Sequence, residues 1–537
     1  MGRHRHRLTD LPRWLVPALA AAPVLVLAVL YALPLATLLA RVVDGDSVTA
    51  AFDGGRLARA AWFTLWQAAA STVLTMAVGF VPAYLLARFR FRGRRAVRAM
   101  VTVPFMLPTV VVGAAFLALL PDGLHGTALA VLAAHVFFNI AVVVRLVGAA
   151  WAVLPTDLTA AARTLGAAER QVLRHVVLPL LRPALWAAAS VVFVFCFTSF
   201  GVVRLLGGPR QRTLEVEIVE RATRFGSVGQ AAVLALLQLM VLAVVVWWSA
   251  RWQRRSAGTL GRDATERTAR TRRQRTLLWA GTAATLLLVL VPVTVLALRS
   301  FRVGGHWSLT AWRTLGTAEV RPGVGLGVDP IASLWVSLRY AAVATLISVL
   351  VGGAASLAVV AAGRRGRLLD TGLMLPLGTS AVTVGLGMLI TFDHPPFDWR
   401  AEWWLVPLGH ALVALPFVVR SVVPALRAIP PDQRAAAMVL GASPLRAWWQ
   451  VEALRIARPL AAGAGFAAAI SLGEFGATAL LSRAGNDSLP VAIDHLLGRA
   501  GEVPRAQGFA LAVVLLVVTA GVVLATDRIG GPDAGRA

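Results

Sequence analysis

Ala160-Ala161-Ala162-Arg163-Thr164-Leu165-Gly166-Ala167 recurs 275 residues later as Ala435-Ala436-Ala437-Met438-Val439-Leu440-Gly441-Ala442. The offset persists outside this segment. His135 maps onto His410, Arg145 onto Arg420, Phe200-Gly201 onto Phe475-Gly476, and Leu214 onto Leu489. A register held over about 80 residues marks a duplicated unit. Internal repeats of this kind are common among transporters.

The alanines of each copy favour helix. Pro155-Thr156-Asp157 and Pro430-Pro431-Asp432 stand in front as start signals, with the aspartate expected as the cap. Gly166 and Gly441 end each short helix, and second helical stretches follow at Glu169–Val177 and Pro444–Leu454. The expected product is a short helix, a turn, and a helix leading back into the membrane. Such an element offers a compact surface to a soluble partner.

The chain of 537 residues is 58% hydrophobic, with a mean hydropathy of +0.73. A soluble protein would be nearer 45–50% apolar. Long apolar runs place it among all-α polytopic membrane proteins. A net charge of +26 would suggest nucleic acid in a soluble chain. Here it is the arginine excess that keeps loops on the cytoplasmic side, and no nucleic-acid partner is expected. All 52 basic residues are arginine, so a phosphate-binding loop that depends on lysine is excluded. Cys196 alone forms no internal disulfide. The motifs GxSxG, HExxH and CxxC are missing, so no catalytic residue, metal site or cofactor is expected.

Twelve candidate spans fall near 14–42, 60–87, 99–120, 127–153, 184–206 and 231–250, then 277–298, 332–362, 368–391, 403–425, 461–482 and 506–526. The Trp14–Val43 stretch is too long for the apolar core of a signal peptide and reads as a first span. Basic loops occupy 88–98, 251–275 and 364–367. Acids mark the other side: Asp44, Asp46, Asp53, Asp122, Glu215, Glu217, Glu220, Asp393 and Asp398. Both termini are therefore expected in the cytoplasm. The expected organisation is a basic N-terminus (1–13), a six-span half (14–250, core repeat 60–250), an Arg-rich linker (251–276), a second six-span half (277–526, core repeat 332–526) and a tail (527–537).

The pattern Ala-Ala-x-x-Leu-Gly-Ala, with Leu178-Pro179 and Arg182-Pro183 after the first copy, resembles the EAA loop of importer-type ABC permeases. Two such loops in one chain resemble the fused permeases of thiamine and ferric-iron importers. Thr198-Ser199-Phe200-Gly201-Val202, Ser471 to Ala477, Leu214 to Ile218 and Leu489 to Ile493 extend the resemblance over most of both halves. It implies a type I importer fold with two pseudo-twofold-related halves in the bacterial cell membrane. It also implies a separate ATPase in two copies, an extracytoplasmic solute-binding protein and a lipid surround. The loop residues Ala160, Ala161, Arg163, Leu165, Gly166, Ala435, Ala436, Leu440 and Gly441 would then couple to the ATPase. The family's glutamate is replaced by Ala160 and Ala435, and Ala453-Leu454 stands where the second Leu-Pro would be. Glu169, Arg163 and Arg434 are candidates to supply the missing contact. Thiamine and ferric iron are the cargoes implied, with thiamine slightly ahead.

Ser199, Phe200, Glu474 and Phe475 are candidates for the translocation path and gate, with His135 and His410 as a matched pair beside it. Intramembrane histidines also serve simply to bond helices together. Arg145 and Arg420, near span ends, fit snorkelling to the interface. Glu474 is costly inside a span and would favour cationic cargo. A secondary transporter is the alternative. It would usually carry ion-coupling acids in several spans, and Glu474 stands nearly alone.

Overall fold

The computed structural model describes residues 15–43, 45–52, 55–255, 268–316, 319–321, 324–325, 327–483 and 485–530. The expected basic N-terminus, the middle of the linker (256–267) and residues 531–537 lie outside these. Apart from two short hairpins, at 302–307 and 319–325, the described chain is helical.

Among the described residues ten helices are long and apolar enough to cross a membrane, and two bent pairs, each taken as one span, raise the number to twelve. The first half comprises α1 (Leu15–Val42), α2 (Arg56–Arg88), the pair α3 (Arg94–Met106) and α4 (Thr109–Leu119), α5 (Ala128–Ala152), the short α6 (Thr156–Thr164) and α7 (Glu169–Phe197). It continues with α8 (Gly201–Leu206), α9 (Leu214–Thr223) and α10 (Val228–Arg255). The second half opens with α11 (Arg272–Arg299), α12 (Pro330–Ala361), the pair α13 (Arg364–Met374) and α14 (Ala381–Thr391), and α15 (Leu405–Arg427). The short α16 (Pro431–Val439), α17 (Trp448–Gly473), α18 (Gly476–Leu481), α19 (Leu489–Leu497) and α20 (Glu502–Gly530) follow. From α5 and α15 onward the short helices keep the 275-residue offset. The fold is the duplicated all-α membrane architecture that the repeat predicts.

Four expected spans are broken. Residues 99–120 and 368–391 are not straight: α3 and α4 meet at 102°, α13 and α14 at 98°. Pro108 causes the first bend. It lacks an amide hydrogen, and it forces Leu107 into an extended conformation (φ −75°, ψ 140°). At the second bend Thr379 is extended and Ser380 caps α14, its Oγ accepting from the amides of Val382 (3.1 Å) and Thr383 (3.4 Å). The expected spans 184–206 and 461–482 are interrupted at Thr198–Phe200 and at Glu474–Phe475.

In each half one helix is enclosed by the rest, α5 in the first and α15 in the second. Matching glycines let their neighbours come close. A Cβ on Gly79 of α2 would lie 2.8 Å from Val143 Cβ of α5, and one on Gly352 of α12 would lie 2.9 Å from Val418 Cβ of α15. Helices in lipid gain little from hydrophobic exclusion, so close backbone approach through small residues carries the packing. The two halves also exchange their outer helices. The first span, α1, packs on α12 and α14 of the second half, while α11 packs on α2, α3 and α4 of the first.

Candidate functional site

The repeated loops form near-identical turns. Pro155 and Pro430 occupy the cap positions, so Asp157 and Asp432 stand in the first turn rather than at the expected cap. There they still face the positive end of the helix dipole. At the other end, Ala167 N–H donates to Ala162 O (3.0 Å) and Gly166 N–H to Arg163 O (2.9 Å). Ala442 and Gly441 repeat the pattern with Ala437 O and Met438 O, both at 3.0 Å. This double bond pattern requires a left-handed residue, and Gly166 and Gly441 have φ of +83° and +88°. Ala160, Ala161, Ala435 and Ala436 are exposed, and Leu165 and Leu440 are each 87% exposed. Both turns thus present an apolar tip on a small-residue helix.

The two loops differ in charge. Arg163 grips Glu169 with two bonds, Nε to Oε1 at 2.6 Å and Nη2 to Oε2 at 3.1 Å. Bonding to Glu169 holds this guanidinium above its ordinary range. In the second loop Arg434 turns inward to the buried Glu452, Nη1 to Oε1 at 3.2 Å. Of the three candidates for the missing glutamate contact, Arg163 and Glu169 therefore face each other, and Arg434 is buried. The helix after each turn contains a π-helical stretch, Leu173–Val177 and Trp448–Ala453, which the sequence did not announce. Such wide turns often sit at functional positions.

At the opposite end of α7 and α17, about 40 Å away by helix rise, lie the two breaks. Ser199 Oγ bonds His135 Nε2 at 2.9 Å, and His135 Nδ1 reaches Ser71 Oγ of α2 at 3.0 Å. In the second half His410 Nδ1 bonds Ser471 Oγ of α17 and Nε2 bonds Thr478 Oγ1 of α18, both at 2.8 Å. The histidines are buried, with both ring nitrogens occupied, and each holds its break against neighbouring helices. Arg145 and Arg420 are exposed, consistent with an interfacial position.

Glu474 is not in mid-helix, as expected, but between α17 and α18. Its Oε1 accepts the Ala477 amide at 3.0 Å. A Cβ on Gly476 would lie 2.9 Å from Val382 Cγ2, and one on Gly201 would lie 2.4 Å from Thr109 Oγ1. These glycines allow each short helix to sit on the bend of its own half. Phe200 and Phe475 then meet across the halves, their ring centroids 4.8 Å apart at 45°. Of the path candidates, the structure thus pairs Ser199 with His135 and Phe200 with Phe475.

Glu215, Glu217 and Glu220 correct a second expectation. They are not loop acids but buried residues of α9, which packs against α2, α10, α14 and α18. Matching bonds seat α9 and α19: Leu214 N–H donates to Thr64 Oγ1 (2.9 Å), and Leu489 N–H to Ser337 Oγ (2.7 Å). Arg221 pairs with Glu217 at 3.6 Å, and Arg212 with Glu220. Arg204 links Glu220 to Asp494 of the second half. The apolar residues between the acids, Leu214, Val216, Ile218 and Val219, were the available signal, and loop placement hid it.

Residues 76–258 match the model of the binding-protein-dependent transport system inner membrane component. The thiamine transport system permease protein ThiP of Brucella abortus (strain 2308) is 28% identical over 515 residues, covering 90% of each chain. Its namesake from Escherichia coli (strain K12) is 27% identical over 541 residues, covering 95% of each. The molybdenum transport system permease protein ModB of Mycobacterium bovis is 35% identical over 260 residues, which is 45% of this chain and 94% of that one. A duplicated helical architecture, two matched loops and these similarities agree: the chain belongs to the binding-protein-dependent inner-membrane permeases of ATP-binding-cassette importers.

Proposed function

We propose that this permease carries thiamine, delivered by an extracytoplasmic binding protein and driven by two copies of a separate ATPase. The observation that carries the cargo is the match of named thiamine permeases to about 90% of the chain, both halves included. The molybdenum permease matches less than half of it. The helix breaks give physical support. Glu474 at the second break and Glu215 in the adjoining α9 put carboxyl groups at the junction of the halves, and ionised carboxylates there would suit a cation and oppose an oxyanion.

In this reading residues 14–250 and 277–526 act as two halves, joined by a cytoplasmic linker at 251–276. Each ATPase subunit receives one loop tip, Leu165 or Leu440, on the helix faces of Ala160, Ala161, Ala435 and Ala436. Gly166 and Gly441 set the angle of the tips. Because α7 and α17 leave the turns directly, movement of a loop is transmitted along a rigid helix to its break. Ser199, Phe200, Glu474 and Phe475 form the outer gate, and His135 and His410 hold its shape. ATP shifts the balance between two global states by binding one better than the other. The chain itself hydrolyses no ATP.

The test is uptake by a strain lacking its own thiamine importer and supplied with this permease, its ATPase and its binding protein. Labelled thiamine should accumulate and ferric iron should not. Iron accumulation without thiamine would overturn the cargo.

A further inference from the structure

The start of α9 is fixed by the Leu214 bond to Thr64, and the next residue, Glu215, is wholly enclosed. Its Oε1 accepts from Gln238 Nε2 of α10. Among the described residues, neither its Oε2 nor Oε1 of the same Gln238 has a hydrogen-bond partner of normal geometry. Ser380, at the head of α14 in the second half, accepts two amides through its oxygen and has its O–H free to donate to this carboxyl. Glu474, at the α17–α18 break, lies near enough for its charge to act on Glu215.

Nearby cations are committed elsewhere. Arg221 holds Glu217, Arg212 holds Glu220, and Arg204 joins Glu220 to Asp494. Among the described residues neither Glu215 nor Glu474 has an arginine partner. An enclosed carboxyl, Glu215, and an orphaned amide oxygen therefore lie near a second, half-buried carboxyl, Glu474, which is held by the Ala477 amide at the start of α18 and not by an arginine. Buried carboxylates are ordinarily paired. Phe475 follows Glu474 in the chain and packs on Phe200, adding aromatic surface of the kind that favours organic cations.

We propose that Glu215, Gln238 and Glu474 form a binding site for an organic cation in transit, shared between the halves and closed in this state. The site rests on the reading of the breaks as a gate and deepens it by naming the first-half residues that receive the charge. Glu215→Gln keeps the shape and removes the ionisable carboxyl.

The test uses the complete importer in proteoliposomes, with labelled thiamine outside. Glu215→Gln should lower uptake tenfold or more while leaving expression and thermal stability at wild-type values. Wild-type uptake by Glu215→Gln would overturn the site and leave the thiamine permease intact; it would make Glu215 a protonated packing residue. If wild-type importer moves no thiamine, the cargo reading falls, and the site is judged separately by labelling. Dicyclohexylcarbodiimide modifies carboxyl groups in apolar surroundings. Tetramethylammonium, a bare quaternary cation, should slow modification of Glu215 in the wild-type complex, read by mass spectrometry. Labelling indifferent to tetramethylammonium would overturn the site whatever the cargo.

Discussion

Arg204 of the first half clasps Asp494 of the second through one edge of its guanidinium, Nε donating to Oδ1 at 3.1 Å and Nη2 to Oδ2 at 3.1 Å. The pair is mostly enclosed and joins α8 to α19 beside the gate candidates. Two parallel bonds make this geometry stronger and more directional than a point-charge contact. Because the pair spans the halves, any parting of them on that side has to break it.

Asp494→Asn should therefore destabilise the complex by about 2 kcal/mol, a value between those of exposed and fully buried pairs. The charge exchange Arg204→Asp with Asp494→Arg should recover part of the loss. Cys196 is the sole cysteine and is buried, so its reaction with a thiol dye on heating reports unfolding. Equal melting of the single variant and the wild type would remove the clasp from the stability account.

Replacing His135 by Ala should leave the hydroxyls of Ser71 and Ser199 without their shared partner. His410→Ala should do the same to Ser471 and Thr478. Each substitution is expected to cost about 1–3 kcal/mol, the usual penalty for stranded buried polar groups. The same thiol assay measures it. Because the two histidines lie in separate halves with no shared partner, their effects should add, and a clear departure from additivity would show coupling between the breaks.

Gly166→Val and Gly441→Val test the loop turns. Nothing lies within 4 Å of a Cβ built on either glycine, so the cost arises from the positive φ alone. A β-branched residue there is strained by about 1–2 kcal/mol. The double variant should fold and insert but lose co-purification with the ATPase. Full co-purification would show that the turns do not shape the docking surface.

Glu474→Gln should keep assembly and lower thiamine uptake by roughly tenfold, the equivalent of about 1.4 kcal/mol. The Gln carbonyl still accepts the Ala477 amide, so α18 stays in place. Unchanged uptake at equal expression would return Glu474 to helix capping.

Reporter fusions at Ser256 and Gly325 check the sidedness read from arginine density. They should give opposite-side signals, with Ser256 in the cytoplasm. Signals from the same side would refute the map.

The sequence alone determined the features that local chemistry writes into the chain. Hydropathy set the number of spans, because each must present some 20 apolar residues to lipid. The 275-residue offset exposed the duplication, and Ala-rich segments ended by Gly166 and Gly441 announced the turns, because helix propensity and positive φ are properties of single residues. Tertiary structure decided what depends on partners far away in sequence. Span prediction counts apolarity and not direction, so the 102° bend at Leu107-Pro108 passed as a straight helix. The breaks at Ser199 and Glu474 form where Gly201 and Gly476 let two backbones touch, which no windowed count can register. Glu215 read as a loop acid because Glu217 and Glu220 follow it closely and Arg210 and Arg212 precede it, although Leu214 and Val216 flank it. Its enclosure follows from Thr64, 150 residues before Leu214, which seats α9, and from α14 and α18 of the other half, which close over it. Burial is a property of the assembled helices, and only their packing turned a solvated acid into a candidate site.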